Sequence, residues 1–460
     1  MSDLAAIAES VVQRALPGEA VEAYVTQGVE TEVRAFDGEV ESLSSSTSAG
    51  IGIRVLLAAG GAGTGPTAVP GAQVGFAWAG SLEAGVVGEV LEDARDNARF
   101  ATPDPDVVLA TPDGWEPAVL ELWDDAAAAI GTDVKIATAL ELERRTRHGD
   151  RRIRQVASAD YADAAVEMAL ASTTGIRAAA RRTSAFVSVS AIAGAGVEAQ
   201  TGTGFSVGRS LGELDLEEAS DDAVRRAVRM LGATKAPTAR CTVVFEPRVV
   251  STLLSVVAGA LSGDAVVKGR SFFAGRLGEQ VADPVVRIVD DPTDPRAYGA
   301  SVFDGEGLAC RRNVLIEDGT LRSFVHDTVS ARRAGTSSTG SAVRGGFAGT
   351  PGAGCRAVVL SPGVRSADEI VAAVGEGLYV QSVTGIHSGV NPVSGDFSVG
   401  AEGLMIRDGA LAEPVREVTV ASTLQRMLRS VLHVGADLRW LPGVAAGQTV
   451  AIGDMQLSGS

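Results

Sequence analysis

The residues best suited to chemistry in this chain are scattered. Its four histidines, His148, His326, His387 and His433, lie far apart in sequence. No two can share one turn of a helix, as paired zinc ligands on a single helix do. Nothing local therefore supports an autonomous metal site. Gly204–Gly208 reads GFSVG and matches the G-x-S-x-G nucleophile pattern, which has meaning only where a strand turns sharply into a helix. Helical periodicity resumes only near Leu216, so a Gly-rich hairpin or loop is expected there. Asp304 and Glu306 stand at i and i+2, a spacing that puts two carboxylates on one face of a strand and could serve acid–base work. The sequence Asp304-Gly305-Glu306-Gly307 reads more simply as a tight turn. Cys241, Cys310 and Cys355 contain no Cys-x-x-Cys pair and suit buried small hydrophobes in a reducing compartment.

One stretch stands out for lacking chemistry. Phe245–Val266, FEPRVVSTLLSVVAGALSGDAV, opens with Glu246 and Pro247 and continues as an apolar helix, with proline where a first helical turn accepts it. Its interior holds no group that could bind a metal or move a proton. The opposite texture appears at Glu143–Arg154, ERRTRHGDRRIR, which reads as a basic helix end followed by a solvated turn.

The elements that must position these residues follow from periodicity and turn chemistry. The sequence is 45% hydrophobic, 21% charged and only 4% aromatic, so a globular core of Val, Ala, Leu and Ile is expected. A net charge of −17 disfavours direct nucleic-acid binding, which needs phosphate-neutralising Lys and Arg. Leu4–Leu16 reads as an amphipathic helix rather than a signal segment. With no apolar run of about 18 residues anywhere, neither secretion nor a membrane span is supported, and a cytoplasmic location is expected.

VEAYVTQG, TEVRAFDGEVESLS and GIGIRVLLA read as strands with a hairpin turn at Asp37-Gly38. Ala58–Gln73 reads as a Gly/Ala/Pro-rich loop, followed by a strand and an amphipathic helix from Ser81 to Phe100. A helix around Asp125–Arg145 leads into paired strands and a helix over Leu216–Leu231. From Cys241 onward short strands and Gly/Asp turns dominate, with one late helix over Glu417–Val434 and a terminal strand. The expected class is α+β. An α/β N-terminal part (1–112) and a middle α/β segment packed with it (113–236) precede a large β-rich C-terminal domain (237–460) whose curved antiparallel sheet is barrel-like.

Three stretches then bear on function: VETEVRAFDGEVESLSSSTSAGIGIRVL; the segment from LSGDAVVKGRSFFAGRLGEQVADPVVRIVDDPTDPRAYGASVFDGEGL on to STGSAVRGG; and SGVNPVSGDFSVGAEGLMIRDGALAEPV. Together, and in this order, they resemble the TldD/PmbA family, the "modulators of DNA gyrase" regarded as metalloprotease subunits. The resemblance spans nearly the whole chain. In that family the TldD subunit carries His-Glu-x-x-x-His just before a Gly-Asp-x-x-x-Lys-Gly segment. This chain keeps Gly263-Asp264 and Lys268-Gly269, but the ligand and base positions fall on Leu254, Ser255 and Gly259.

Zinc needs imidazole or thiolate lone pairs, and hydrolysis needs a carboxylate to take a proton from the bound water; these three residues supply neither. The family's late cysteine ligand is also missing from Leu441–Ser460. The chain thus resembles the TldE (PmbA-type) subunit, for which the family implies a heterodimer with zinc-bearing TldD around a cavity that takes unfolded peptides. No catalytic or metal residue and no cofactor is expected in this chain, with zinc expected in the partner. A partner-independent binding or scaffold protein of the same fold is the alternative. Contact with partner or substrate is expected at Gly385–Gly400, through His387, Ser388, Asn391 and Asp396, although a self-satisfied turn region is the plainer reading.

Overall fold

The computed structural model describes residues 3–58 and 71–459. Helix α1 (Asp3–Val12) leads into two long strands, β1 (Glu19–Phe36) and β2 (Glu39–Ala58), paired in register through an Asp37-Gly38 turn. Both turn residues have positive φ, 54° and 82°, the geometry that a two-residue hairpin with the native strand twist demands. Strand β3 (Ala72–Ala79) and helix α2 (Ala84–Phe100) complete this part. Of the loop expected over Ala58–Gln73, residues 59–70 lie outside the described residues, while Ala58 ends β2 and Ala72-Gln73 open β3.

The helix expected around Asp125–Arg145 is split at Gly131 into a short α3 (Asp125–Ala128) and α4 (Thr132–His148). It is followed by β4 (Ile153–Ser172), β5 (Arg177–Ala193), β6 (Gln200–Gly208) and α5 (Leu216–Arg229). The two segments share one antiparallel sheet of order β3-β2-β1-β4-β5-β6. One half is α-β-β-β-α and the other repeats that pattern. Val21, Ala23 and Val25 of β1 face α1 and α2, while Tyr161 and Val187 of β4 and β5 face α4 and α5, because side chains alternate along a strand. Glu22 and Tyr24 point to the opposite face.

The C-terminal part begins with β7 (Ala239–Phe245), α6 (Pro247–Ala260) and a short α7 (Gly263–Val267). Next come β8 (Ile288–Asp290), β9 (Asn313–Glu317) and β10 (Thr320–Leu321), then α8 (Thr328–Ala334). Two short strands, β11 (Ala342–Val343) and β12 (Gly352–Ala353), precede β13 (Val358–Leu360), which joins β8–β10 in a small sheet. Helix α9 (Ala367–Val374), β14 (Gly377–Thr384), a single turn α10 (Ile386–Gly389), β15 (Asp396–Arg407) and β16 (Ala410–Thr423) follow. Helix α11 (Leu424–Arg429), β17 (Val431–Val434) and β18 (Val450–Ser458) end the chain.

Strands β7, β14, β15, β16 and β18 close into a five-stranded barrel, because β16 pairs with β18 as well as with β15. The barrel is mixed rather than wholly antiparallel, since β7 and β14 run parallel. That pairing needs a long crossover, here the whole of α6 to α9, and no local pattern encodes it. The helix expected over Glu417–Val434 is a strand for its first seven residues: Val418 and Val420 alternate inward, and a β-branched run favours a pleated surface. Only Leu424–Arg429 is helical.

Candidate functional site

Helix α6 carries Leu254, Ser255 and Gly259, the positions singled out by the sequence resemblance. Glu246 stands at its N-cap position, without a side-chain capping bond, and Pro247 opens its first turn. Val250, Leu253, Leu254, Val257 and Ala258 join one apolar cluster with Phe245 and Val380 of the barrel and with Ile288, Ile316 and Val358 of the small sheet. The helix is therefore the packing link between barrel and small sheet. Leu254 lies inside that core at 5% exposure, whereas Gly259 is exposed with open space where a Cβ would project. Five residues put these positions about 140° apart around the helix, so they occupy different faces. Ser255 is half-buried and its hydroxyl donates back to the Ser251 carbonyl at 2.9 Å.

The retained Gly-Asp and Lys-Gly have structural roles. A Cβ on Gly263 would come within 2.1 Å of the His326 ring, so only glycine lets α7 start there. Lys268 pairs with Asp264 at 2.8 Å, and Gly269 ends the turn at φ 65°. His326 is buried beside the Ser330 hydroxyl, 3.1 Å from Nδ1, and burial lowers its pKa. It reads as a neutral core histidine. Among the described residues no three of His, Cys, Asp and Glu gather as a metal site would require. Cys310 and Cys355 are buried, and burial pushes both thiols up, that of Cys310 to about 12.

At the head of α6 a cavity of about 460 Å³ opens between α5, β6 and the barrel. Buried charges tie its walls together. Arg226 Nε donates to Asp222 at 2.8 Å and its Nη1 to Glu246, and Arg248 pairs with Asp222 from the α6 side. Burial opposes the charge of Arg226, but Glu246 and Asp222 outweigh it and raise its pKa. Arg248 is less compensated: burial and the neighbouring Arg226 lower it to about 10. The i, i+4 spacing of Asp222 and Arg226 is visible in sequence, but their junction with Glu246 is not.

GFSVG is part of strand β6, not a loop, and lies against α5. A Cβ on Gly204 would fall 1.7 Å from the Ala219 carbonyl, so the glycines serve close helix–strand approach. Ser206 Oγ accepts the Asp215 backbone N–H. Among the described residues its hydroxyl bonds no His, Asp or Glu side chain. The basic Glu143–Arg154 segment is a helix end and turn whose arginines pair locally: Arg144 and Arg145 with Glu141, Arg147 with Glu143, Arg152 with Asp150.

His387, Ser388, Asn391 and Asp396 are all exposed, grouped on α10 and the turn into β15. Asn391 Oδ1 accepts the backbone N–H groups of Val393 and Ser394, and Ser394 Oγ donates to Asp396 at 2.6 Å. The turn is thus internally bonded while keeping an outward polar face.

The Asp304–Gly307 turn holds the most unusual carboxylates. Both are fully buried. Asp304 accepts backbone N–H groups from Glu306, Leu308 and Ala342. Glu306 Oε2 accepts from the Thr328 N–H and hydroxyl, and its Oε1 has no partner among the described residues. Burial pushes Glu306 up to about 7, with Arg54 opposing and Asp304 adding to the rise. Next to it Glu22 of β1 is held between Arg54 of β2, at 2.6 Å, and Arg344 from the C-terminal part. Burial would raise Glu22, but the two arginines hold it at about 2. This seam joins the six-stranded sheet to the C-terminal part, and no sequence spacing announced it.

The fold is thus a helix-covered six-stranded sheet locked by buried charges to a five-stranded mixed barrel, with the apolar α6 packed between barrel and small sheet. Family models match along the chain: PmbA/TldA metallopeptidase domain 1 matches residues 21–98, the central domain 125–231 and the C-terminal domain 238–459. The chain belongs to the PmbA/TldD family. It is 26% identical to metalloprotease PmbA of Escherichia coli, over 94% of this chain and 90% of that protein. It is 27% identical to a metalloprotease TldD homologue of Haemophilus influenzae, over 85% and 83%. TldE from Thermococcus kodakarensis superimposes with a TM-score of 0.86 at 23% identity, covering 99% of both chains. A protein described as a modulator of DNA gyrase from Bacteroides thetaiotaomicron gives 0.87 at 24%, covering both chains fully. At these identities the structural likeness establishes the fold. Among the described residues no helix is long and apolar enough to cross a membrane.

Proposed function

We propose that this chain is the non-metal, TldE-like subunit of a cytoplasmic heterodimeric metallopeptidase. It shapes the cavity through which unfolded peptides reach zinc held by a TldD-type partner. The observation that supports this most directly is the state of α6. The family ligand and base positions hold a core leucine, a serine bonded to its own helix and an exposed glycine, so the helix contributes packing and no lone pair for a metal. The exposed polar face of His387, Ser388, Asn391 and Asp396 is the surface we assign to partner or peptide contact.

The test is co-expression with a partner carrying His-Glu-x-x-x-His and a late cysteine. Cleavage of an unfolded peptide should require both chains, and near one zinc per heterodimer should vanish when the partner's histidines are replaced. Metal-dependent cleavage by this chain alone would place the active site here and refute the assignment.

A further inference from the structure

A second cavity, of about 140 Å³, lies where the open face of the six-stranded sheet meets the loops around residues 300–305 and 344–356. Its walls are in part apolar, with Val166 and Met168 of β4 and Phe303 opposite. Its floor is cationic. Arg344 has a side chain only 1% exposed; its Nη2 binds Glu22 and its Nε donates to the Gly305 carbonyl at 3.0 Å. Its Nη1 is buried and has no partner among the described residues. Arg356 repeats this condition: Nη2 donates to the Ala342 carbonyl at 3.0 Å, and the buried Nε is without a partner. Arg182, exposed and on the same cavity wall, has no ion pair among the described residues. The guanidinium of Arg344 also lies over the Tyr24 ring, 4.7 Å from its centroid.

Buried guanidinium donors without acceptors are costly, and a cavity walled by both of these arginines and by Arg182 suits an acceptor carrying negative charge. Of the carboxylates nearby, Glu22 is committed to Arg54 and Arg344 and Asp304 to three backbone N–H groups, while Asp290 accepts the Arg356 and Ala357 backbone N–H groups on Oδ1 and bonds neither guanidinium. A carboxylate presents two oxygens to forked N–H donors, and the apolar walls suit a short aliphatic group attached to it. We propose that this cavity is a binding pocket for an organic carboxylate, held by Arg344 Nη1 and Arg356 Nε with Arg182 at the entrance. The group can come from a peptide C-terminus or from a small free acid. The pocket is complete within this chain, so its occupancy does not depend on the partner subunit proposed above.

The experiment is calorimetric titration of the purified full-length chain with four probes: a short peptide ending in a free carboxylate, the same peptide amidated, valerate, and inorganic phosphate. The free-acid peptide should bind at least about 10-fold more tightly than its amide. Arg356→Gln should weaken it by about 10-fold, and Arg182→Gln, an exposed change that leaves the fold intact, by a few-fold. Valerate binding as tightly as the peptide, with the same losses in the variants, supports the pocket and identifies a free acid as its source. Equal affinity for acid and amide, phosphate as the sole ligand, indifference to both variants, or no binding by about 10 mM would each overturn the proposal.

Discussion

Helix α6 and the seam around Glu22 are both buried joints in this protein, built on opposite principles. The helix joins barrel to small sheet chiefly through apolar side chains, with the buried Ser251 hydroxyl satisfied by the Ala445 carbonyl. The seam joins the six-stranded sheet to the C-terminal part through Glu22, Arg54, Arg344 and the neighbouring Glu306, buried groups whose charges depend on one another. Apolar burial is non-directional and adds up area by area. Paired buried charges instead hold only one geometry, and they fail abruptly when one member is removed. The contrast predicts that the seam is the brittle joint and α6 the forgiving one.

The strongest test removes the shared anion. Glu22→Gln leaves Arg54 and Arg344 facing each other across a neutral amide, and it should destabilise the chain by about 3–5 kcal/mol in urea denaturation. A loss below about 1 kcal/mol would show that the seam is water-filled in solution and not a joint at all.

Glu306 tests the same seam through pH. Its folded pKa is raised from 4.5 to about 7, so its contribution is fully present below about pH 4.5 and is lost as pH rises through about 7. Glu306→Gln removes that loss. Measured at about pH 5 and again at about pH 8.5, the stability of the variant relative to the wild type should move in the variant's favour, by up to about 3 kcal/mol. A difference that does not change with pH would mean the carboxyl is ionised in the fold.

On the α6 side, Leu254→His puts an imidazole into the core with no partner and should cost about 1–3 kcal/mol. The triple change Leu254→His, Ser255→Glu and Gly259→His should carry that cost and still give no peptidase, because the two histidines would sit on different faces and supply two ligands where catalytic zinc normally has three. Robust zinc-dependent cleavage by that variant alone would show an intact site lacking only its ligands. The smallest effect belongs to Ser255→Ala: its hydroxyl bonds only to its own helix, and stability should change by no more than about 0.5 kcal/mol. A larger loss would mean that α6 is less forgiving than its packing indicates.

How much of this was legible beforehand depends on the range of each interaction. The hairpin at Asp37-Gly38, the paired strands before and after Gly175 and the apolar run of α6 were readable, because each is set by turn chemistry or alternation within a few residues. That Leu254, Ser255 and Gly259 carry no imidazole or carboxylate is equally plain from the sequence, whatever their surroundings. Val418 and Val420 were misread as helical because a short apolar run has no period long enough to separate strand from helix.

What folding alone decided is which distant groups meet. Glu22 and Arg344 are 322 residues apart in sequence, and no periodicity relates them. They meet because an outward-facing position on β1 is covered by a C-terminal loop. The parallel β7–β14 pair that helps close the barrel depends on the same kind of long return. Local sequence sets each element's face and turns, because those energies act between near neighbours. Buried charges and cavities take their character from what tertiary packing brings alongside and from the water it removes.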